Sequence, residues 1–165
     1  MSHKTDKASA DRRQYSRLPV VEGMIEPITL KFGGADGAKE DPKAAGAKGQ
    51  PAILTNLSAG GMSLLMFLEP PHTKKLDMVL SIPGLSHVPV EGKVVRINQK
   101  GETYSVGIAF TRIGKKYQTQ ISSMAQDHID CETRLALKLP EACVKTCTFH
   151  ALCAKSQKAP YWPAR

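Results

Sequence analysis

The chain has 165 residues, a formal charge of +8 and 41% hydrophobic residues, which fits one domain with appendages and favours anionic partners without dictating a fold. No apolar run approaches the length of a membrane span, and the polar residues after Met1-Ser2-His3-Lys4 leave no signal-peptide core, so the expected location is the cytoplasm. The charge gathers at the ends: residues 1–17 hold five basic and two acidic side chains, and residues 131–165 hold six and two.

In chain order, residues 1–18 read as a flexible arm. It opens on small polar residues and then carries Arg12, Arg13 and Arg17. Pro19 restricts Leu18 to an extended conformation. Arginine on such an arm suits an anion, because the guanidinium forks onto phosphate and onto the O6 and N7 edge of guanine, and its plane stacks on a base. A basic, solvated tail is the plainer reading of the same residues. Ile28-Thr29-Leu30-Lys31-Phe32 predicts the first core strand, with Ile28, Leu30 and Phe32 on one face. Residues 33–50 are rich in Gly, Ala, Lys and Asp and predict a disordered insertion.

Pro51–Ser58 and Met62–Leu68 predict two strands joined at Gly60-Gly61. Asn56 and Ser58 are two apart and so share a face. The two glycines permit a tight turn or a positive φ, and leave room for a close approach to the backbone. Taken alone, this is equally a hairpin whose Asn and Ser satisfy their own turn. Leu76–Ile82, the turn Pro83-Gly84, and Val88–Ile97 follow. The phase breaks around Gly92-Lys93-Val94-Val95, which predicts a bulge. Tyr104, Val106, Ile108 and Phe110 then alternate cleanly with their neighbours. Short strands separated by Gly, Pro and Asn turns predict an all-β fold, a small antiparallel six-stranded barrel. Tyr117, Ile121 and Met124 recur at helical spacing and predict a helix over Lys115–Ala125 that covers it.

Two of these stretches carry a family pattern. Arg13-Gln14-Tyr15-Ser16-Arg17 has the form RxxxR, and Asn56-Leu57-Ser58-Ala59-Gly60-Gly61 has the form (D/N)xSxxG. In that order, ahead of a string of strands, they resemble the PilZ domain, a family of bacterial receptors for cyclic di-GMP. Glu91-Gly92-Lys93-Val94-Val95-Arg96 and Gly107-Ile108-Ala109-Phe110 fit the family's phrasing, and its barrel is followed by a helix. The resemblance runs from about Asp11 to about Asp130. It implies a PilZ-like barrel and helix over residues 19–130, with cyclic di-GMP as ligand. By the same resemblance Arg13 and Arg17 hold guanine and phosphate, and Asn56, Ser58, Gly60 and Gly61 form the barrel side of the site. Arg12 directly before the motif resembles the version that accommodates two stacked ligand molecules. Arg96 reads as a surface arginine, with reach to the ligand as the alternative. The long insertion at 33–50 departs from the family.

Residues 131–165 match no part of that pattern and form a separate Cys-containing tail, expected to be helical. Cys143, Cys147 and His150 are spaced i, i+4 and i+7, one stripe of a helix beginning near Leu139-Pro140, and Cys153 can join its end. Together with Cys131 these thiols read as an amphipathic helix using cysteine as a small hydrophobe, as ligands for zinc or an iron–sulfur cluster, or as a disulfide or redox sensor. Tyr161-Trp162-Pro163 suits docking back on the barrel or a homodimer contact.

Three function classes compete. A cyclic di-GMP receptor would signal by ordering its arm and act on a separate downstream protein. A nucleic-acid-binding barrel agrees with the charge, but the strands show few exposed aromatics for stacking, which disfavours nucleic acid. An enzyme would need a legible constellation. No convincing carboxylate pair, Ser-His-Asp arrangement, H-E-x-x-H or phosphate loop is present.

Overall fold

The computed structural model describes residues 14–19, 28–30, 50–70 and 75–153. Arg12, Arg13, residues 33–49 of the insertion expected at 33–50 and the Tyr161-Trp162 cluster lie outside the described residues, while Gln50 begins a strand.

Seven strands form one antiparallel sheet: β1 (Arg17–Pro19), β2 (Ile28–Leu30), β3 (Gln50–Ser58), β4 (Gly61–Met66), β5 (Leu76–Ile82), β6 (Leu85–Lys100) and β7 (Thr103–Ile113). They occupy six positions in the order β1-β3-β4-β7-β6-β5, because β1 pairs with one end of β3 and β2 with the other. The sheet curls until β2 lies against β5, which makes it barrel-like. This is the expected six-stranded architecture.

Strict alternation places the core. In β5 every second residue from Leu76 to Ile82 is buried. In β4 Met62, Leu64 and Met66 point inward, and Val106 and Ile108 of β7 meet them from the neighbouring strand. The β5–β6 turn is Pro83-Gly84. Gly84 has φ 86°, which glycine accepts without steric cost.

Of the register shifts in the sheet, two set the site. On β3, Leu54 pairs with Leu64 but Asn56 pairs with Ser63, so Thr55 is an extra residue. Ala52 and Leu54 are buried before it, Leu57 and Ala59 after it. The inward phase has moved by one, which turns Asn56 and Ser58 outward. On β6, Val94 pairs with Ile108 but Arg96 pairs with Gly107, so Val95 is extra. The irregularity expected near Val94-Val95 is this bulge, and a second register shift lies at Glu91/Gly92.

The helix α1 (Lys115–Ala136) buries Ile121, Met124 and Ala125 on the expected stripe. It is eleven residues longer than the apolar period predicts and contains Cys131. Helix formers such as Glu132, Arg134 and Ala136 carry it on after its buried face has ended. Lys138, at φ 54°, then turns the chain away, with the Leu139 N–H returning to the Arg134 carbonyl.

The tail does not form the α-helical stripe expected for Cys143, Cys147 and His150. Its helical turn is a short 3-10 segment, η1 (Thr148–Leu152), and Pro140 lies in a turn. The reason is an external anchor. The N–H and hydroxyl of Thr148 both donate to the Asp127 carboxylate of α1 at 2.6 Å, and Arg134 Nε donates to the Ala142 carbonyl at 3.1 Å. These bonds replace the helical ladder and hold Phe149 and Leu152 in the barrel core. Phe149 also meets the His128 ring, centroids 4.8 Å apart.

Phe149→Ala should cost about 3–5 kcal/mol in a denaturant titration, because the tail closes the same core that the strands line; unchanged stability would mean that the tail is not docked. A Cβ on Gly61 would collide with the Ile108 carbonyl across the β4–β7 pair, whereas one on Gly107 would meet only ordinary contacts at 3.5 Å. Gly61→Ala should therefore lose about 2–3 kcal/mol, with Gly107→Ala within about 0.5 kcal/mol of wild type. Equal losses would contradict the pairing.

Candidate functional site

The outward faces created by the two bulges line up in rows across the sheet. Cross-strand partners share a face, so the register can be read sideways. One row runs Asn56, Ser63, Gly107, Arg96 over β3, β4, β7 and β6. The next runs Arg17, Ser58, Gly61, Ala109 over β1, β3, β4 and β7. The middle of both rows is Gly, Ser or Ala, and an arginine stands at one end of each. Small residues between two arginines make a trough. It has a volume of about 510 Å³ and is also lined by Gln14, Tyr15, Gly60 and Val95.

Of the residues expected from sequence, Arg17, Asn56, Ser58, Gly60 and Gly61 all line this one groove. Arg17 sits opposite Ser58, and Leu18 beside it is fully buried against the core, which fixes the strand that presents the guanidinium. Ser58 Oγ donates to the Gly61 carbonyl at 3.1 Å, leaving its lone pairs to accept. The Asn56 side-chain oxygen is buried with no hydrogen-bond donor among the described residues. A buried acceptor left in that state costs about 1–3 kcal/mol. Among the described residues neither Arg17 nor Arg96 has an ion-pair partner.

Gly60 closes the tight β3–β4 turn, as expected, and each glycine also makes room for a neighbour. Neither has positive φ. Gly61 lets β7 approach β4. A Cβ on Gly60 would lie 2.6 Å from the Tyr15 ring, so Gly60 is the seat of that ring. Tyr15 is half-buried against the core, and its hydroxyl accepts from Gln118 Nε2 of α1 at 3.2 Å. The last residues of the arm are thereby pinned between the β3–β4 turn and α1. Arg96, read from sequence chiefly as a surface arginine, lines the groove. The signal that could have found it is the phase break at Val94-Val95, which moves the residue after it to the outer face.

The four cysteines are half-buried, and none is in a disulfide among the described residues. Cys131 is on α1, Cys143 in the connection, and Cys147 and Cys153 flank η1 and pack against the core. Burial chiefly pushes the Cys147 thiol up, with nearby Asp127, Cys131 and Cys143 adding to it and the Phe149 N–H opposing. Among the described residues no three of His, Cys, Asp and Glu converge as a metal site would require. The expected ligand stripe depended on an α-helix that this segment does not form. No helix among the described residues is long and apolar enough to cross a membrane.

Comparison with known proteins bears on the groove's family. No curated protein sequence matches the chain. Among solved structures it is similar to the Bacillus subtilis inhibitor of motility MotI/DgrA (17% identity, TM-score 0.47, covering 79% of this chain and 54% of that one). It is also similar to the PilZ domain of Escherichia coli YcgR with c-di-GMP (16%, 0.46, 78% and 98%). Escherichia coli YcgR in complex with c-di-GMP is a third (19%, 0.44, 77% and 48%). The chain thus spans about half the length of MotI/DgrA. The model of the PilZ domain matches residues 11–126, which include both arginine and Asn-Ser motifs and every strand of the sheet. The chain belongs to the PilZ domain family.

Proposed function

We propose that this protein is a receptor for cyclic di-GMP, bound in the groove between Arg17 and Arg96. The observation that carries the reading is a groove lined by Asn56 and Ser58 between Arg17 and Arg96, neither arginine having an ion-pair partner among the described residues. Such a site needs a ligand that brings N–H donors and negative charge together. Guanine offers donors on its N1 and N2 edge and acceptors at O6 and N7, and the phosphates supply the charge. Adenine presents an amino donor where guanine has O6, and an arginine cannot accept from it. Membership of the PilZ family and the placement of Arg17, Asn56 and Ser58 support the same ligand.

Arg17 takes phosphate or a guanine edge, Asn56 accepts from the base, and Ser58 accepts at the glycine-flanked turn. Arg12 and Arg13, a few residues before Tyr15, close over the groove when the nucleotide enters, so that the output is a changed surface for a partner protein. Closure of the arm opposes part of the binding free energy, because ordering a chain costs conformational entropy.

Calorimetry on the full chain with cyclic di-GMP, and with cyclic di-AMP and linear GMP as controls, tests this. The wild type should bind cyclic di-GMP and discriminate against the adenine analogue. Arg13→Ala and Arg17→Ala should each lose about 1.5–3 kcal/mol, and Ser58→Ala about 0.5–1.5 kcal/mol. An Arg17→Ala variant that binds as tightly as wild type would contradict the assignment of the groove.

A further inference from the structure

Resting on that reading, we infer that Arg96 is a guanine-reading residue. It stands on a second wall of the site and grips the base at the far end of the dinucleotide from Arg17. The inference comes from the register. Arg17 is on β1 and Arg96 on β6, with β3, β4 and β7 between them. Four strand spacings amount to about 19 Å along the sheet. The two side chains therefore rise from opposite ends of the trough, and a ligand that engages both spans its floor, as a dinucleotide with a base at each end does.

The floor between them is Ser63, Gly61, Gly107 and Ala109, with no side chain long enough to divide the trough. At the far end the extra residue of the β6 bulge is Val95, which is 58% exposed. A valine at an outward bulge position gains nothing from water, and it lines the same groove. Its methyl groups offer an apolar surface to a base face, with Arg96 next to it to fork onto the O6 and N7 edge. Arg96 has no ion-pair partner among the described residues, so the guanidinium is available. The bulge is what makes this possible. Without it, Val95 and Arg96 would lie on opposite faces of the sheet.

A phosphate contact and a guanine contact separate experimentally. Lysine replaces arginine as a point charge on phosphate, but it lacks the planar fork. Calorimetry on the full chain would compare wild type, Arg96→Ala and Arg96→Lys with cyclic di-GMP and cyclic di-AMP. Both variants should weaken cyclic di-GMP binding about 10- to 100-fold. They should leave the weak binding of cyclic di-AMP unchanged, so that discrimination falls by the same factor. Arg96 is exposed and forms no core contact, so melting curves should coincide with wild type. Retention of affinity in Arg96→Ala would overturn the inference and leave the receptor reading standing. Recovery in Arg96→Lys, or an equal loss for both dinucleotides, would place the side chain on phosphate and overturn it as a base reader. Failure of the wild type itself to bind cyclic di-GMP would overturn the receptor reading, and this inference with it.

Discussion

The extra residues Thr55 and Val95 are the constraint on which the site depends. A strand has a side-chain period of two, so a chain that buries Leu54 must also turn Asn56 inward unless something shifts its phase. Thr55 supplies the shift on β3, and its hydroxyl donates to the Ser63 carbonyl at 3.0 Å. Val95 supplies it on β6. Both bulges lie at the level of one cross-sheet row, so the polar residues they expose face each other over a floor of small side chains. Removing either one would return half of the groove to the core.

Closing the barrel and building the groove use the same elements from opposite sides. Leu18 and Leu57 pair inside while Arg17 and Ser58 pair outside. Gly61 is bare because β7 needs the space, and the same bareness leaves the trough floor empty. Tyr15 extends this coupling to α1 through Gln118, and α1 in turn holds the tail through Asp127. Tyr15 is therefore a fixed point beside the groove, two residues after Arg13 in the sequence.

Much of this is legible in the sequence. The alternation from Tyr104 to Phe110, the turn at Pro83-Gly84 and the spacing of Tyr117, Ile121 and Met124 each state a local rule that the structure obeys. Asn56 and Ser58 were readable as a pair because two positions on a strand share a face. What escaped depends on distant partners. Gly60 and Gly61 look like turn glycines locally, but their size is demanded by Tyr15 and by the Ile108 carbonyl. The α1 extension past Ala125 has no apolar stripe to announce it. The Cys143, Cys147 and His150 spacing suggested a helix, but the anchor that prevents it is a carboxylate at Asp127, twenty-one residues before Thr148. Arg96 was hidden by a bulge whose existence was visible but whose consequence required the register of β7.

The central claim is that the guanine dinucleotide lies on the outer face of the sheet, across these two rows. Amide NMR shifts during titration of the full chain with cyclic di-GMP test it most directly. The account predicts the largest changes at Arg17, Asn56, Gly61, Ser63, Arg96 and Gly107, with the seam between α1 and η1 nearly still. Changes confined to residues 137–153, with the row residues unmoved, would contradict it.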